Sequence, residues 1–247
     1  MLLLGSQSFP NYGLNRFFEF AKKLNFSGVE ITITNNFDTQ NFEYLKMLEK
    51  ESGIKICAFS LPSTNAENLL PAFAKVVSEF PGRTINLASP EVFSFDYKKF
   101  IDKEIPKLCR NYRLSFHRTN SPFKTMFGIL PTRSQSSLHT LREAGTVCLD
   151  LSALWRSHAD IMRATDFLAD KMQHVYLSNV RRNKMYMPLR DGILPVESLL
   201  TKLARENFRG DFTLKIAPEN MDAGNDKKML DNLKDAKEVF EKYFGAN

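Results

Sequence analysis

The chain alternates between strand-like and helix-like segments from one end to the other. Short apolar or alternating segments, such as GVEITI at 28–33, are each followed by a longer stretch with apolar residues at helical spacing. Eight such units follow one another without a break in composition. The predicted strands are residues 2–9, 28–33, 54–61, 83–88, 114–119, 146–151, 174–180 and 211–217. The predicted helices are residues 13–25, 41–52, 66–80, 96–112, 134–144, 160–171, 195–207 and 227–244.

This alternation is typical of a parallel sheet covered by helices. Eight units in 247 residues favour closure of the sheet into a single (β/α)8 TIM barrel, with residues 1–247 forming one domain. An open, doubly wound sheet is the alternative. That fold carries a glycine-rich phosphate loop after its first strand, whereas Gly5 stands alone here, so the barrel is preferred.

The composition limits the classes of protein to which this chain can belong. With 43% hydrophobic and 25% charged residues, the chain resembles an ordinary soluble protein, and no segment approaches the roughly 18 consecutive apolar residues of a membrane span. The three cysteines are far apart and in apolar surroundings, which predicts reduced thiols and a cytoplasmic location. A net charge of +6 allows an anionic ligand, a phosphate ester or nucleic acid, and equally fits a lysine-rich surface.

Strand periodicity predicts which polar residues face the interior of the barrel. Successive side chains point to opposite faces of a strand, so the parity that places apolar residues against the helices turns the other parity inward. Most of the inward polar residues lie toward the carboxyl ends of their strands, where TIM-barrel sites are built. They are Glu30, Asn86, His117, Asp150, Tyr176 and Lys215.

Charges buried in this interior need partners, because desolvation costs several kcal/mol or more for each isolated ion. Asp150 and Lys215 belong to even-numbered strands, which contribute to the same interior layers. We therefore expect an Asp150–Lys215 ion pair with Glu30 nearby. Such a cluster is either a satisfied part of the core or a ligand site, and its polarity favours the ligand site.

Several segments carry a resemblance to one known group of barrels. HVYLSNV, RDGILPVESLLTKLARENFRG and DFTLKIAP lie between residues 174 and 218, with GVEITI and VCLDLSAL earlier in the chain. In these segments the chain resembles the xylose-isomerase-like TIM barrels, the sugar phosphate isomerase/epimerase group that also includes endonuclease IV. The resemblance spans nearly the whole chain and implies a sugar or sugar phosphate as substrate.

The departures from that group concern its metal site. The resemblance implies a divalent metal held by Glu, Asp, His and Glu on the later strands. The matching positions here are His117, Asp150, Ala153, Tyr176, Asn179 and Lys215. Only Asp150 keeps its identity, and the ammonium of Lys215 repels a cation. We therefore expect a degenerate site with no metal and no cofactor. Binding through His117, Asp150 and Asn179 is the disfavoured alternative.

The loop after the seventh strand is rich in basic residues, among them Arg181 and Arg190. Phosphate-holding loops of TIM barrels commonly follow strands seven and eight, so these arginines either capture an anion or form a solvated charge run.

Three functions remain open. The first is a sugar or sugar-phosphate isomerase/epimerase-like enzyme acting without metal, with Lys215 as base or electrostatic stabiliser, His117 as proton shuttle and Asp150 as orienting partner. Its predicted substrate-binding residues are Glu30, Asn86, Tyr176, Asn179, Arg181 and Arg190.

The second function is a non-catalytic barrel that binds a ligand or partner. The third, an endonuclease IV-like nuclease, is disfavoured because four histidines are too few for a zinc cluster. Self-association into a homo-oligomer stays open.

Overall fold

The fold is a closed barrel of eight parallel strands, as the alternation predicts. A computed structural model describes residues 1–62, 66–90, 94–121, 125–126, 130–131 and 137–245. Each strand pairs with its neighbours in the sequence, and the first strand pairs with the last to close the barrel. The strands are β1 (Leu2–Gly5), β2 (Gly28–Thr32), β3 (Ile56–Ser60), β4 (Thr84–Ala88), β5 (Ser115–Thr119), β6 (Val147–Asp150), β7 (Met172–Leu177) and β8 (Asp211–Leu214).

Helices cover the outside of the barrel. The helix after β1 shows the principle, because its buried face carries Phe17, Phe18 and Ala21 at helical spacing. The principal helices are α1 (Leu14–Lys23), α2 (Phe42–Ser52), α3 (Leu70–Ser78), α4 (Ile105–Tyr112), α5 (Leu138–Glu143), α6 (Ile161–Leu168), α7 (Val196–Arg205) and α8 (Asp226–Phe244). Shorter helices are Phe37–Gln40, Phe95–Lys99 and Leu151–Arg156. The first residues of the helix predicted at 134–144 lie outside the described residues. None of the helices in the described part of the chain combines the length and apolar character that a membrane crossing needs.

The helix predicted at 96–112 contains an irregular turn. Phe95–Lys99 leads into a π-helical turn, Phe100–Glu104, before α4 begins. Pro106 is the second residue of α4. Because proline has no N–H to donate to the preceding turn, the regular hydrogen-bonding pattern is interrupted here.

The segment predicted as one strand at 174–180 forms parts of two different structures. β7 ends at Leu177, and Asn179–Arg181 then pairs antiparallel with Lys184–Met187. The period-two pattern continues across Ser178, so the sequence does not reveal that the chain leaves the barrel there. The resulting hairpin, residues 179–187, folds over the carboxyl ends of the strands and brings Tyr186 to the mouth. Thr125–Met126 pairs antiparallel with Leu130–Pro131.

Candidate active site

Asp150 and Lys215 form the predicted ion pair at the carboxyl end of the barrel. Lys215 Nζ lies 2.9 Å from Asp150 Oδ2, and the two side chains are 15% and 2% exposed. The carboxylate is held in place because Asp150 Oδ1 caps the helix Leu151–Arg156, accepting from Ala153 N at 3.0 Å. Asn120 fixes the backbone of Asp150 through two further hydrogen bonds. The carboxylate is therefore rigidly placed.

Two tyrosines flank the ammonium of Lys215. Its Nζ lies 4.6 Å from the ring centre of Tyr176 and 4.8 Å from that of Tyr186, distances at which a cation is attracted to an aromatic face. Burial acts to lower the pKa of Lys215. The opposing effects of Asp150 and Tyr186 prevail, and the pKa is raised above its ordinary value. Lys215 is therefore an ammonium at neutral pH.

Tyr186 belongs to the site although no local sequence pattern indicates it. Its hydroxyl donates to Asp150 Oδ2 at 3.3 Å, and burial raises the pKa of this phenol, with a further contribution from Asp150. The backbone of Tyr186 has a positive φ of 55°, a conformation that side chains larger than Gly rarely adopt. Ser152 Oγ accepts from its N–H, and Ala217 N donates to its carbonyl. These bonds hold the residue in that conformation.

Beneath the ion pair lies a second buried carboxylate, that of Glu30, which is 1% exposed. Tyr176 Oη donates to Glu30 Oε1 at 2.5 Å. Thr213 Oγ1 and Asn86 Nδ2 donate to Oε2 at 2.9 and 3.2 Å. Three donors can satisfy a carboxylate in a dry interior. Glu30, Asn86 and Tyr176 thus converge as the strand periodicity predicts.

The two inward histidines occupy lower parts of the barrel. His174 is fully buried, and burial lowers its pKa to about 3, so the ring is neutral. His117 Nδ1 lies 2.9 Å from Oγ1 of Thr146, the residue before β6 begins, so its side chain points toward the amino end of the barrel. Burial also lowers the pKa of His117. The structure does not bring His117 to the Asp150–Lys215 pair.

A cavity of about 130 Å³ opens above these residues at the mouth of the barrel. At about 30 Å³ for each water of the bulk liquid, this volume corresponds to roughly four waters. Of the predicted site residues, Asn86, Asp150, Tyr176 and Lys215 line it. The other lining residues are Gln7, Ser60, Leu61, Ala88, Thr119, Asn120, Ser121 and Tyr186.

Comparison of the sequence with protein-family models gives no match, and comparison with curated proteins gives none either. Solved structures do match. A D-psicose 3-epimerase from Clostridium cellulolyticum H10, solved with D-tagatose, superimposes with a TM-score of 0.75 at 11% identity over 99% of both chains. A xylose isomerase domain protein from Planctomyces limnophilus gives 0.68 at 14% identity over 100% of this chain and 99% of that one. This chain has the xylose-isomerase-like barrel fold. A 3-keto-D-glucoside 4-epimerase from E. coli gives 0.69 at 16% identity over 96% and 98% of the two chains. At these identities the likeness establishes the fold.

The residues at the mouth of this xylose-isomerase-like barrel do not fit a divalent metal. Asp150 is the one carboxylate among the described residues lining the cavity, and both of its oxygens already accept hydrogen bonds. The ammonium of Lys215 offers no lone pair and repels a cation. Within the described ranges, no group of three or more His, Cys, Asp or Glu side chains is arranged to hold a metal ion. The donor set instead suits an anionic or polarised oxygen beside Lys215.

The remaining predicted binding residues lie away from the cavity of the xylose-isomerase-like barrel. Arg181 pairs with Asp191 at 3.0 Å and Arg190 with Asp235 at 3.1 Å, and both arginines are more than half exposed. The amide of Asn179 is buried within its own loop, donating to Leu189 O and accepting from backbone N–H groups. Asn179 therefore shapes the loop after the 179–187 hairpin.

Proposed function

We propose that this chain is a sugar or sugar-phosphate isomerase/epimerase-like enzyme in which the ammonium of Lys215 supplies the positive charge at the reacting carbonyl. The proposal rests on the Asp150–Lys215 pair, whose charged atoms lie 2.9 Å apart at the floor of the mouth cavity. Epimerases are among the solved structures that share this fold.

The proposed chemistry is proton transfer at the carbon next to a carbonyl. Asp150 Oδ2 takes the proton as the C–H bond breaks, and the electron pair moves to the carbonyl oxygen to form an enediolate. The ammonium of Lys215 stabilises the developing oxyanion. Protonation of the same carbon from the opposite face by solvent water gives an epimer, and Asp150 returns its proton to the hydroxide that is left. Transfer of the neighbouring hydroxyl proton to the former carbonyl oxygen, with return of the proton from Asp150 to the neighbouring carbon, gives an isomer. Atoms and charges balance with water as the only added reactant.

Lys215 acts in this scheme as a fixed charge. Because its pKa is raised, it stays protonated at neutral pH and is a poor base and a poor nucleophile for a Schiff base. Tyr186 donates to the same carboxylate oxygen and orients it. His117 has no part in this scheme, since it faces the amino end of the barrel.

Exchange of sugar C–H for deuterium in D₂O tests the proposal across many candidate substrates. A panel of aldoses, ketoses and their phosphates is incubated with the protein and an excess of EDTA, and deuterium next to the carbonyl is followed by NMR. We expect exchange that EDTA leaves unchanged. Lys215→Met and Asp150→Asn should each reduce it about 100-fold or more, the scale on which electrostatic and acid–base groups contribute.

Lys184→Met is the matched control, because Lys184 lies in the 179–187 hairpin outside the mouth cavity. It should exchange at the wild-type rate. Exchange that EDTA abolishes would contradict the role given to Lys215, and an absence of exchange with every sugar would contradict enzymatic activity.

One observation favours a second function, a barrel that binds a sugar without turning it over. Epimerisation commonly needs acid–base groups on both faces of the substrate, and Asp150 is the one carboxylate found among the described residues lining the cavity. Sugar-induced thermal stabilisation without deuterium exchange would support this alternative.

A further inference from the structure

The amino end of the barrel, opposite the mouth, carries basic residues at the ends of several helices. The helices α1, α2, α4 and α7 each lead through a short loop to the amino end of the next strand. The basic residues in their last turns are Lys22, Lys23, Lys50, Arg110 and Arg205, all of them exposed. The helix dipole favours a cation at this position, so these residues alone require no ligand to explain them.

The loops between the helices and the following strands add further cations to the same end. Hydrogen bonds place two of these loops beside the strand ends, because Lys55 O accepts from Val29 N and Lys171 O accepts from Val147 N. The basic residues of these loops are Lys55, Arg113, Lys171 and Arg209. Lys55, Lys171 and Arg209 lie three or more residues beyond the last helical residue. The helix dipole acts within the last turn and does not account for them.

The acidic side chains at this end are mostly neutralised already. Those with an ionic partner are Glu49, Glu79, Asp170, Glu206 and Asp211. Glu51 and Glu143 remain without one. None of the basic residues named above forms an ion pair within the described part of the chain. The amino end of the barrel therefore carries an excess of exposed positive charge.

These cations are distributed around the barrel rather than along one line. They precede β2, β3, β5, β7 and β8, which lie on all sides of the closed order of strands. A flat anionic surface can meet all of them at once, whereas a nucleic acid duplex is a rod and would cross only part of the ring. Met1, which is 57% exposed, adds an apolar side chain at the same end, beside the start of β1.

We propose that the amino end of the barrel is a docking surface for a lipid bilayer with anionic headgroups. Each Lys or Arg near such a surface is attracted to it, and salt screens the attraction. The Asp150–Lys215 pair lies at the opposite end, so the mouth of a docked protein faces the solution. Docking through this surface does not depend on the proposed enzymatic activity.

Vesicle flotation tests this proposal with the full chain. The protein is mixed with vesicles of phosphatidylcholine alone, or with vesicles in which about a third of the lipid is phosphatidylserine. We expect the protein to float with the anionic vesicles only, and the bound fraction to fall as sodium chloride is added. The triple variant Lys55→Gln, Lys171→Gln, Arg209→Gln should bind about 100-fold more weakly, the loss expected for three cations at a membrane surface.

The matched control removes two lysines and one arginine from the opposite end of the barrel. Lys99, Arg182 and Lys184 are exposed, follow the carboxyl ends of β4 and β7, and form no ion pair in the described part of the chain. Replacing all three with Gln should leave binding to anionic vesicles at the wild-type level. Both triple variants should melt at the wild-type temperature, because the substituted side chains are unpaired and none is fully buried. The melting temperature thus separates a loss of docking from a loss of folding.

Three results would overturn the proposal: no flotation with anionic vesicles, equal binding to neutral vesicles, or an equal loss of binding in the two triple variants. Tighter binding to a DNA duplex than to anionic vesicles at the same salt concentration would assign the face to nucleic acid instead, provided that the Lys55, Lys171 and Arg209 variant loses it.

Discussion

The hydroxyl of Tyr176 donates a 2.5 Å hydrogen bond to Glu30 Oε1, while the ring of the same tyrosine lies beneath the ammonium of Lys215. One side chain thus connects the buried Glu30 carboxylate with the cation at the mouth. Burial raises the pKa of this phenol, so it remains a donor at neutral pH. The position of the cation therefore depends on a carboxylate that does not line the cavity.

Tyr176→Phe should separate these two roles. The ring is kept, but Glu30 loses one of its donors while remaining buried, which should destabilise the protein by about 1–3 kcal/mol. Urea denaturation measures this change. Tyr186→Phe is the comparison, and an equal loss of stability in both variants would contradict a special role for the Tyr176–Glu30 bond.

Removing only one charge of the Asp150–Lys215 pair should lower the free energy of unfolding more than removing both charges together. Lys215→Met leaves Asp150 buried and without its cation, a change that typically costs about 3–5 kcal/mol. Adding Asp150→Asn removes the unpaired charge, so the double variant should be more stable than the sum of the single changes predicts. A double-mutant cycle in urea measures this coupling. Strictly additive effects would mean that the pair has little energetic coupling.

Tyr186→Phe should impair activity more than folding. The variant keeps the ring beside Lys215 and loses the 3.3 Å bond to Asp150 Oδ2, which leaves that carboxylate less firmly oriented. We expect a stability change of about 0.5–1.5 kcal/mol, the net contribution of a single hydrogen bond. Deuterium exchange should fall mainly through kcat, with KM little changed. A change confined to KM would instead indicate that Tyr186 contacts the ligand.

His174 should make the protein sensitive to acid. Its pKa is lowered to about 3 by burial, below the ordinary value of 6.5, so the unfolded chain binds a proton that the folded chain excludes. The resulting stability is present above about pH 6.5 and is lost as the pH falls toward 3, at up to about 1.4 kcal/mol per pH unit. Urea denaturation between pH 6.5 and 4.5 measures it. In His174→Gln the free energy of unfolding should fall less steeply as the pH is lowered, because the uptake of one proton on unfolding is removed.

Arg181→Ala and Arg190→Ala test the sequence-based interpretation of the basic loop. Both arginines form exposed ion pairs, which contribute about 0–1 kcal/mol, so stability should hardly change. Sugar binding should also be unaffected, because neither residue lines the cavity. A clear loss of affinity for a sugar phosphate in either variant would restore the anion-capture interpretation.

The sequence predicts the features of this protein that depend on local period. Helical and strand periodicity predict the barrel, and strand parity predicts that Glu30, Asn86, Asp150, Tyr176 and Lys215 converge. Strand parity does not, however, determine how far along the barrel axis a side chain lies. His117 faces inward, yet its ring points toward the amino end of the barrel, because the direction of a side chain along the axis depends on its rotamer and its partner Thr146.

Tyr186 could not be predicted because its place depends on a long-range return of the chain. The pattern after β7 continues as a strand, and only pairing within the 179–187 hairpin turns the chain back over the mouth. The positive φ of Tyr186 is held by Ser152 and Ala217, which lie 34 and 31 residues away in the sequence. Nothing local to the segment KMYM indicates these bonds.

The ammonium between Tyr176 and Tyr186 is joined to the polypeptide by covalent bonds, whereas a bound ion is in equilibrium with its surroundings. The charged group is part of the chain from its synthesis. It is not lost on dilution, and its presence does not vary with the supply of divalent ions in the cell. The same permanence limits adaptation, because a metal site can exchange one ion for another of different acidity, and this site can change its cation only by mutation.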